Sequence, residues 1–194
     1  MKKKIAITGG IGSGKSTVLH IFGEMGYPIF SCDEIYREII DTAEYVKKIE
    51  MTFPKCVVDG KVDRKLLAST VFGNGEALEK LNAIAHPLIM QRLLEEMKNC
   101  TSEKVFAEVP LLFEGNYENL FDQVIVVCRD KAERIQSVVQ RDQISSANVE
   151  KRILTQFDYE DEKNKNRLKN CKTIFIQNEG ELDLLKNKIK NLKL

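Results

Sequence analysis

Ile5-Ala6-Ile7-Thr8-Gly9-Gly10-Ile11-Gly12-Ser13-Gly14-Lys15-Ser16 is the stretch that decides the fold. A short β-branched run ends in glycines, and from Lys15 to Met25 the residues Val18, Leu19, Phe22 and Met25 recur at helical spacing. Strand, glycine loop and helix in that order form the setting in which G-x-x-x-x-G-K-[ST] binds phosphate. Glycines let backbone N–H groups wrap the phosphates of ATP, and the helix that follows points its positive end at them. Lys15 is expected to reach the β- and γ-phosphates as a charge, and the Ser16 hydroxyl to ligate magnesium. Gly10, Ile11, Gly12, Ser13, Gly14, Lys15, Ser16 and Thr17 are therefore the expected ATP-binding residues. A glycine-rich turn with a chance lysine is the competing reading, and four glycines with correct flanks weigh against it.

Outward from the loop, Tyr27 to Cys32 fits a second strand with Pro28 at its start, and Asp33 stands where a helix would begin. Residues 33 to 101 are helical and charged, broken by turns at Val58-Asp59-Gly60-Lys61 and Gly73-Asn74-Gly75. Lys104 to Val109 and Asp122 to Cys128 read as strands, the second apolar enough to be buried on both faces. Lys131 to Lys169 is polar and helical, Thr173 to Ile176 a last strand, and Leu182 to Leu192 a last amphipathic helix. Short apolar strands alternating with helices predict an α/β fold, a parallel sheet with helices on both faces.

Composition narrows the classes. A chain of 194 residues, 43% hydrophobic and 30% charged, supports one well-cored domain with room for mobile subdomains. Thirty basic residues against twenty-nine acidic ones give no reason to expect nucleic acid or a membrane surface as partner. The five cysteines, Cys32, Cys56, Cys100, Cys128 and Cys171, lack the spacing of a zinc site and read as reduced, mostly buried thiols. The basic start Met1-Lys2-Lys3-Lys4 is followed by too short an apolar run for a signal peptide, and a cytoplasmic location is expected.

A P-loop fixes the triphosphate but not the reaction. The Asn-Lys-x-Asp motif that reads guanine is absent, because Asn164-Lys165-Asn166-Arg167 lacks the aspartate, so a switch GTPase is disfavoured. Kinases of small metabolites need a base near the acceptor hydroxyl and cations over the phosphates. Asp33 follows the second strand, at the sheet edge where ligands bind in such folds, and suits either that base or a helix cap. Arg37, one helical turn on, suits a substrate phosphate or a pair with Asp33. Glu108 ends a strand where P-loop proteins keep an acid for magnesium, with a structural ion pair as the alternative. Arg134, Arg141 and Arg152 are lid cations or solvated charges, the first two on one helical face. His20 and His86 read as structural, and Pro87 as interrupting or beginning a helix.

Taken together, separate stretches resemble the dephospho-CoA kinase family. The resemblance rests on Ile7 to Ser16, Asp33-x-x-x-Arg37, Gly60 to Ala68 with Val71-Phe72, Leu78-Glu79 to His86-Pro87 and Pro110-Leu111-Leu112-Phe113-Glu114. It continues through Arg141-Asp142, Arg152-Ile153-x-x-Gln156, Glu162-Lys163 and Asn178-x-Gly180. It implies a P-loop NTPase fold like that of nucleoside monophosphate kinases, with a five-stranded parallel core (about 1–32, 102–130 and 170–194), a helical acceptor subdomain (about 33–101) and a lid (about 131–169) in one domain over 1–194. It also implies transfer of the γ-phosphoryl of ATP, with magnesium, to the ribose 3′-hydroxyl of dephospho-CoA, in a monomer or small homo-oligomer. Asp33, Lys15 and Arg141 would be catalytic, with Arg37, Asp63, Arg64, His86 and Pro110 on the acceptor side and Ser16 and Glu108 on the metal.

The chain departs from the family pattern in four places. Ser31 replaces the first aspartate of Asp-x-Asp, Glu108 stands where aspartate is usual, and Lys172-Thr173 replaces Ala-Asp. In Gln-x-x-Arg-x-x-x-Arg-Asp, Arg134 takes the glutamine position and Ser137 the first arginine position. The runner-up readings are a kinase of another small acceptor (nucleoside, nucleotide or shikimate-like) and an ATP-binding switch. Because Ser31 leaves Asp33 alone, Asp33→Asn is expected to cost about 10²–10⁴-fold in turnover at saturating substrates. Near-native turnover of that variant would remove Asp33 from the reaction.

Overall fold

The computed structural model describes residues 2–194; Met1, the first residue of the basic amino terminus, lies outside the described residues. The chain divides into two compact units, residues 1–29 with 100–194, and residues 30–99.

The first unit is built on a parallel sheet whose strands are β1 (Lys3–Thr8), β2 (Ile29–Ser31), β5 (Lys104–Glu108), β6 (Gln123–Cys128) and β7 (Ile174–Gln177), in the order β2-β5-β1-β6-β7. The parallel sheet expected from the sequence is present, with the five strands that the family resemblance implies. In the register, Ile7 pairs with Glu108 on one side and Ile125 on the other, while Cys128 pairs with Gln177. The carboxyl ends of four strands thus finish at one level, and the segments that follow them can share one site. Helix α1 (Lys15–Glu24) and helix α9 (Leu182–Lys190) pack together, and their apolar stripes close a core of Ile5, Ile7, Val18, Phe22, Phe106, Ile125, Val127, Ile176, Leu185 and Ile189. Phe22 stacks on Phe106 with centroids 3.9 Å apart, and Tyr27 covers their edge. Helices α6 (Lys131–Asp142), α7 (Ser146–Leu154) and α8 (Lys165–Asn170) complete the unit.

In the second unit α5 (Gly75–Asn99) is the long element, packed by α2 (Cys32–Ile39), α3 (Ala43–Thr52) and α4 (Arg64–Val71). Strands β3 (Val57–Val58) and β4 (Lys61–Val62) form a hairpin where the sequence predicts a turn alone. Its two-residue loop, Asp59-Gly60, has φ of 50° and 72°, the backbone that matches a hairpin's twist and that Asp and Gly tolerate. Tyr45 is fully buried, with its hydroxyl 3.1 Å from that of Tyr36, and burial pushes its phenol pKa upward.

Four local expectations change. The second strand is Ile29–Ser31, not Tyr27 to Cys32, and Cys32 opens a helix. Ser31 occupies the N-cap position of α2 with extended backbone, so Asp33 is no cap but a first-turn carboxylate favoured by the helix dipole. Pro87 neither interrupts nor begins a helix and lies inside α5. An interior proline costs about 3 kcal/mol; here packing by three helices on α5 offsets that, and Pro87 itself is exposed. His20 is exposed on α1 rather than a packed residue. All five cysteines are free, three of them buried.

Phe106→Ala removes the stacked ring at the centre of the first unit's core and should lower unfolding stability by about 3–5 kcal/mol. Chemical denaturation measures it, and a loss below about 1 kcal/mol would mean that the site collapses freely.

Candidate functional site

Thr8 ends β1, and the chain enters the Gly9–Ser16 loop where the core stops. Gly9 has φ of 144°, and a Cβ there would stand 2.3 Å from the Val127 carbonyl oxygen of β6, so no side chain fits. Gly14, at the N-cap of α1, has φ of 93°, and a Cβ would meet the Asn178 amide nitrogen at 2.2 Å. Lys15 is half-buried, and its Nζ donates to the carbonyls of Gly9 (3.0 Å) and Gly10 (3.1 Å). The lysine charge therefore sits over the start of the loop. The Ser16 hydroxyl donates to Glu108 Oε1 at 3.1 Å, and Glu108 is only 7% exposed. The two residues expected to hold magnesium are brought together, although they are ninety-two positions apart.

Residues remote in sequence brace the loop from outside. Gln156 Oε1 accepts the Ile11 N–H at 2.8 Å, Arg134 Nε donates to the Ile11 carbonyl at 2.9 Å, and Asn178 Nδ2 donates to the Ser13 carbonyl at 2.8 Å. The Tyr159 hydroxyl lies 3.3 Å from that of Thr8. Burial pushes the Tyr159 phenol upward, with the Thr8 hydrogen bond opposing and Glu114 adding to the rise. Burial also pushes up the Cys128 thiol, as does Glu160, against the pull of Arg134.

The Pro110–Glu114 segment holds residues 156–159 in place. Phe113 stacks on Phe157 with centroids 4.5 Å apart, and Glu114 Oε1 accepts the Phe157 N–H at 2.9 Å. Arg167 of α8 fixes the same region: its Nε donates to buried Glu118 at 2.7 Å, its Nη2 to the Phe113 carbonyl at 2.9 Å, and its guanidinium lies 5.4 Å from both the Phe113 and Phe157 rings. Gln156 and Tyr159 flank Phe157, so this cluster sets their reach to the loop. Pro110, at the head of the segment, is half-buried.

Arg141 is exposed at the end of α6, and its guanidinium forks onto the neighbouring Asp142 at 2.7 and 3.1 Å. Those bonds hold the Asp142 carboxyl below its ordinary range, Arg152 (3.7 Å away) adding to the effect. The remaining expected site residues belong to the second unit. Asp33 and Arg37 are exposed in the first and last turns of α2. Asp63 caps α4 through the Lys65 and Leu66 N–H groups, and Arg64 pairs with Asp41 at 2.8 Å. His86 is half-buried on α5.

Sequence reasoning left Gln156, Tyr159 and Asn178 without roles and set Arg134 among the lid cations. Gln156 and Asn178 stand in stretches that resemble the family, but their loop partners are 145 and 165 residues away. Sheet register brings Asn178 to the loop, while the Phe113–Phe157 stack and the Glu114 bond to the Phe157 N–H bring Gln156 there.

The chain matches the family model for dephospho-CoA kinase over residues 3–183. It is 34% identical over 184 residues to the dephospho-CoA kinase of Fusobacterium nucleatum, covering 94% of this chain and 93% of that one. The solved dephospho-CoA kinase from Campylobacter jejuni superposes with a TM-score of 0.67 at 31% identity, over 98% of this chain and 94% of the other. Shikimate kinase from Acinetobacter baumannii superposes at 0.58 with 15% identity, over 98% and 92% of the two chains, a likeness of fold alone.

Asn178→Ala leaves the Ser13 carbonyl without its donor. It should lower stability by about 1 kcal/mol and weaken ATP binding several-fold, read by thermal melts with and without nucleotide. Unchanged ATP affinity would show that the loop keeps its shape without this brace.

Proposed function

The chain belongs to the dephospho-CoA kinase family and phosphorylates dephospho-CoA with ATP; we propose that the γ-phosphoryl goes to the ribose 3′-hydroxyl, with residues 10–17 holding the nucleotide. The observation that carries this division of labour is the joining of Ser16 to the buried Glu108 beside a lysine fixed on the loop carbonyls. Lys15 supplies charge to the β- and γ-phosphates. Asp33 orients the acceptor hydroxyl and takes its proton, and Arg37, Asp63, Arg64, His86 and Pro110 bind or shape the acceptor. Arg141 holds phosphate once its fork leaves Asp142. Little covalent work falls to the protein in such transfers. Alignment, charge and exclusion of water carry the rate.

Magnesium fits the donors present. A hydroxyl and a carboxylate are hard oxygen ligands, and among the described residues no group of three or more His, Cys, Asp or Glu side chains could hold a metal ion alone. Ser16 and Glu108 would hold the ion together with nucleotide oxygens, and when bound it offsets charge on the β- and γ-phosphates. The acceptor and the nucleotide are small, polar and water-borne. Among the described residues no helix is long and apolar enough to cross a membrane, and we place the enzyme in the cytoplasm, as a monomer or small homo-oligomer with no nucleic-acid or membrane partner.

ADP release should require dephospho-CoA, with CoA identified as product, and should be absent with AMP, with shikimate and without acceptor. Turnover with another acceptor in place of dephospho-CoA would overturn the substrate assignment. In the same assay, Glu108→Gln should raise the magnesium concentration needed for half-maximal rate by about tenfold, since a carboxylate ligand is lost. An unchanged magnesium dependence would take Glu108 off the metal.

A further inference from the structure

Arg134 lies on the phosphate loop itself. Its Nε donates to the Ile11 carbonyl, and its guanidinium is so close over Gly10 that a Cβ there would stand 2.2 Å from Nη2 and 2.5 Å from Cζ. Lys15 holds the carbonyls of Gly9 and Gly10. Two cations therefore attach to the same three residues, Gly9–Ile11, at the start of the loop. Within the described residues, only Nε of the Arg134 guanidinium makes a hydrogen bond, and no carboxylate forms an ion pair with it.

A structural brace does not need this charge. Gln156 holds the N–H of the same residue, Ile11, with a neutral amide. Burial works against the Arg134 cation and pulls its pKa down, with Tyr159, Cys128 and Glu160 pulling it back up. By the resemblance described above, this position would carry glutamine and an arginine would stand three residues on, where this chain has Ser137. Here the Ser137 hydroxyl accepts from Arg129 Nη1 at 2.8 Å. Residues three apart share a helical face, so Arg134 offers a cation one turn away on the same side of α6, at the loop.

We propose that Arg134 contacts the triphosphate of ATP and supplies in this chain the planar cation that the family pattern carries at the position of Ser137. Its two terminal amino groups match a pair of phosphate oxygens, which a lysine ammonium does not. With Lys15 it sets two fixed charges where negative charge collects during transfer. The inference rests on residues 10–17 being the ATP site.

The test uses the full chain with R134Q, R134K and the double variant R134Q/S137R, each checked by thermal melt. R134Q keeps an amide able to donate to the Ile11 carbonyl, so it removes the charge and spares the brace. Affinity for a non-hydrolysable ATP analogue, measured without acceptor, should fall about tenfold in R134Q. The kcat/KM for ATP should fall at least as far, while KM for dephospho-CoA stays within about twofold. R134K should recover part of the loss and R134Q/S137R most of it. R134Q with analogue affinity within about twofold of the parent would overturn the proposal and make Arg134 a brace. A folded double variant that recovers nothing would overturn the relocation of charge. If R134Q does not fold, R134K decides: loss of analogue affinity in a folded protein supports the phosphate contact, and unchanged affinity overturns it. Absence of dephospho-CoA turnover in the parent protein would strike the substrate assignment alone and leave the analogue comparison standing.

Discussion

An anion site made of backbone N–H groups works only while the loop is held open by bonds that leave those groups available. Nearly everything around Gly9–Ser16 answers that constraint. The bonds that fix the loop fall mainly on its carbonyls: Lys15 takes those of Gly9 and Gly10, Arg134 that of Ile11, and Asn178 that of Ser13. Gln156 takes the N–H of Ile11, and the Gly10 carbonyl takes that of Ser13 at 3.2 Å. A loop closed throughout by its own amide–carbonyl bonds would leave fewer amides for phosphate.

Holding a loop from outside requires rigid holders, and these come from far along the chain. The parallel register places the ends of β1, β5, β6 and β7 at one level, so Glu108, Cys128 and Asn178 arrive beside the loop as a consequence of strand pairing. The 156–159 segment has no strand to hold it. It depends on Phe113, Glu114 and Arg167, and through them on Glu118. The Pro110–Glu114 motif thus acts on the Gly9–Ser16 loop at second hand, through Phe157 and the residues near it.

What the sequence made legible follows the range of the interactions involved. The loop was readable because its requirements are local: glycines where β6 and Asn178 leave no room for a Cβ, and a helix starting at Lys15. The joining of Ser16 and Glu108 could be anticipated from strand–loop order, since Glu108 ends β5 and Ser16 opens the helix that follows the β1 loop. Pro87 was misread because a local rule, the cost of proline in a helix, lost to the packing of three helices against α5. Asp33 was half legible: its place after β2 was right, but Ser31 takes the cap position. Gln156, Tyr159 and Asn178 carry no local signature of bracing, because a hydrogen bond across 145 or more residues is set by topology.

Electrostatics around the loop obey the same constraint. Phosphate is favoured where positive charge is fixed and nearby acids are neutral. Tyr159 and Cys128, the two acids of neutral form set close to the loop, both have pKa values raised, chiefly by burial. A raised pKa keeps an acid protonated to higher pH, so phenol and thiol stay uncharged throughout the neutral range. Burial also lowers the Arg134 pKa, but a guanidinium starts so far above neutrality that it remains a cation. One desolvating environment thus silences the weak acids and spares the strong base. Two cations, Lys15 and Arg134, thus stay attached to Gly9–Ile11.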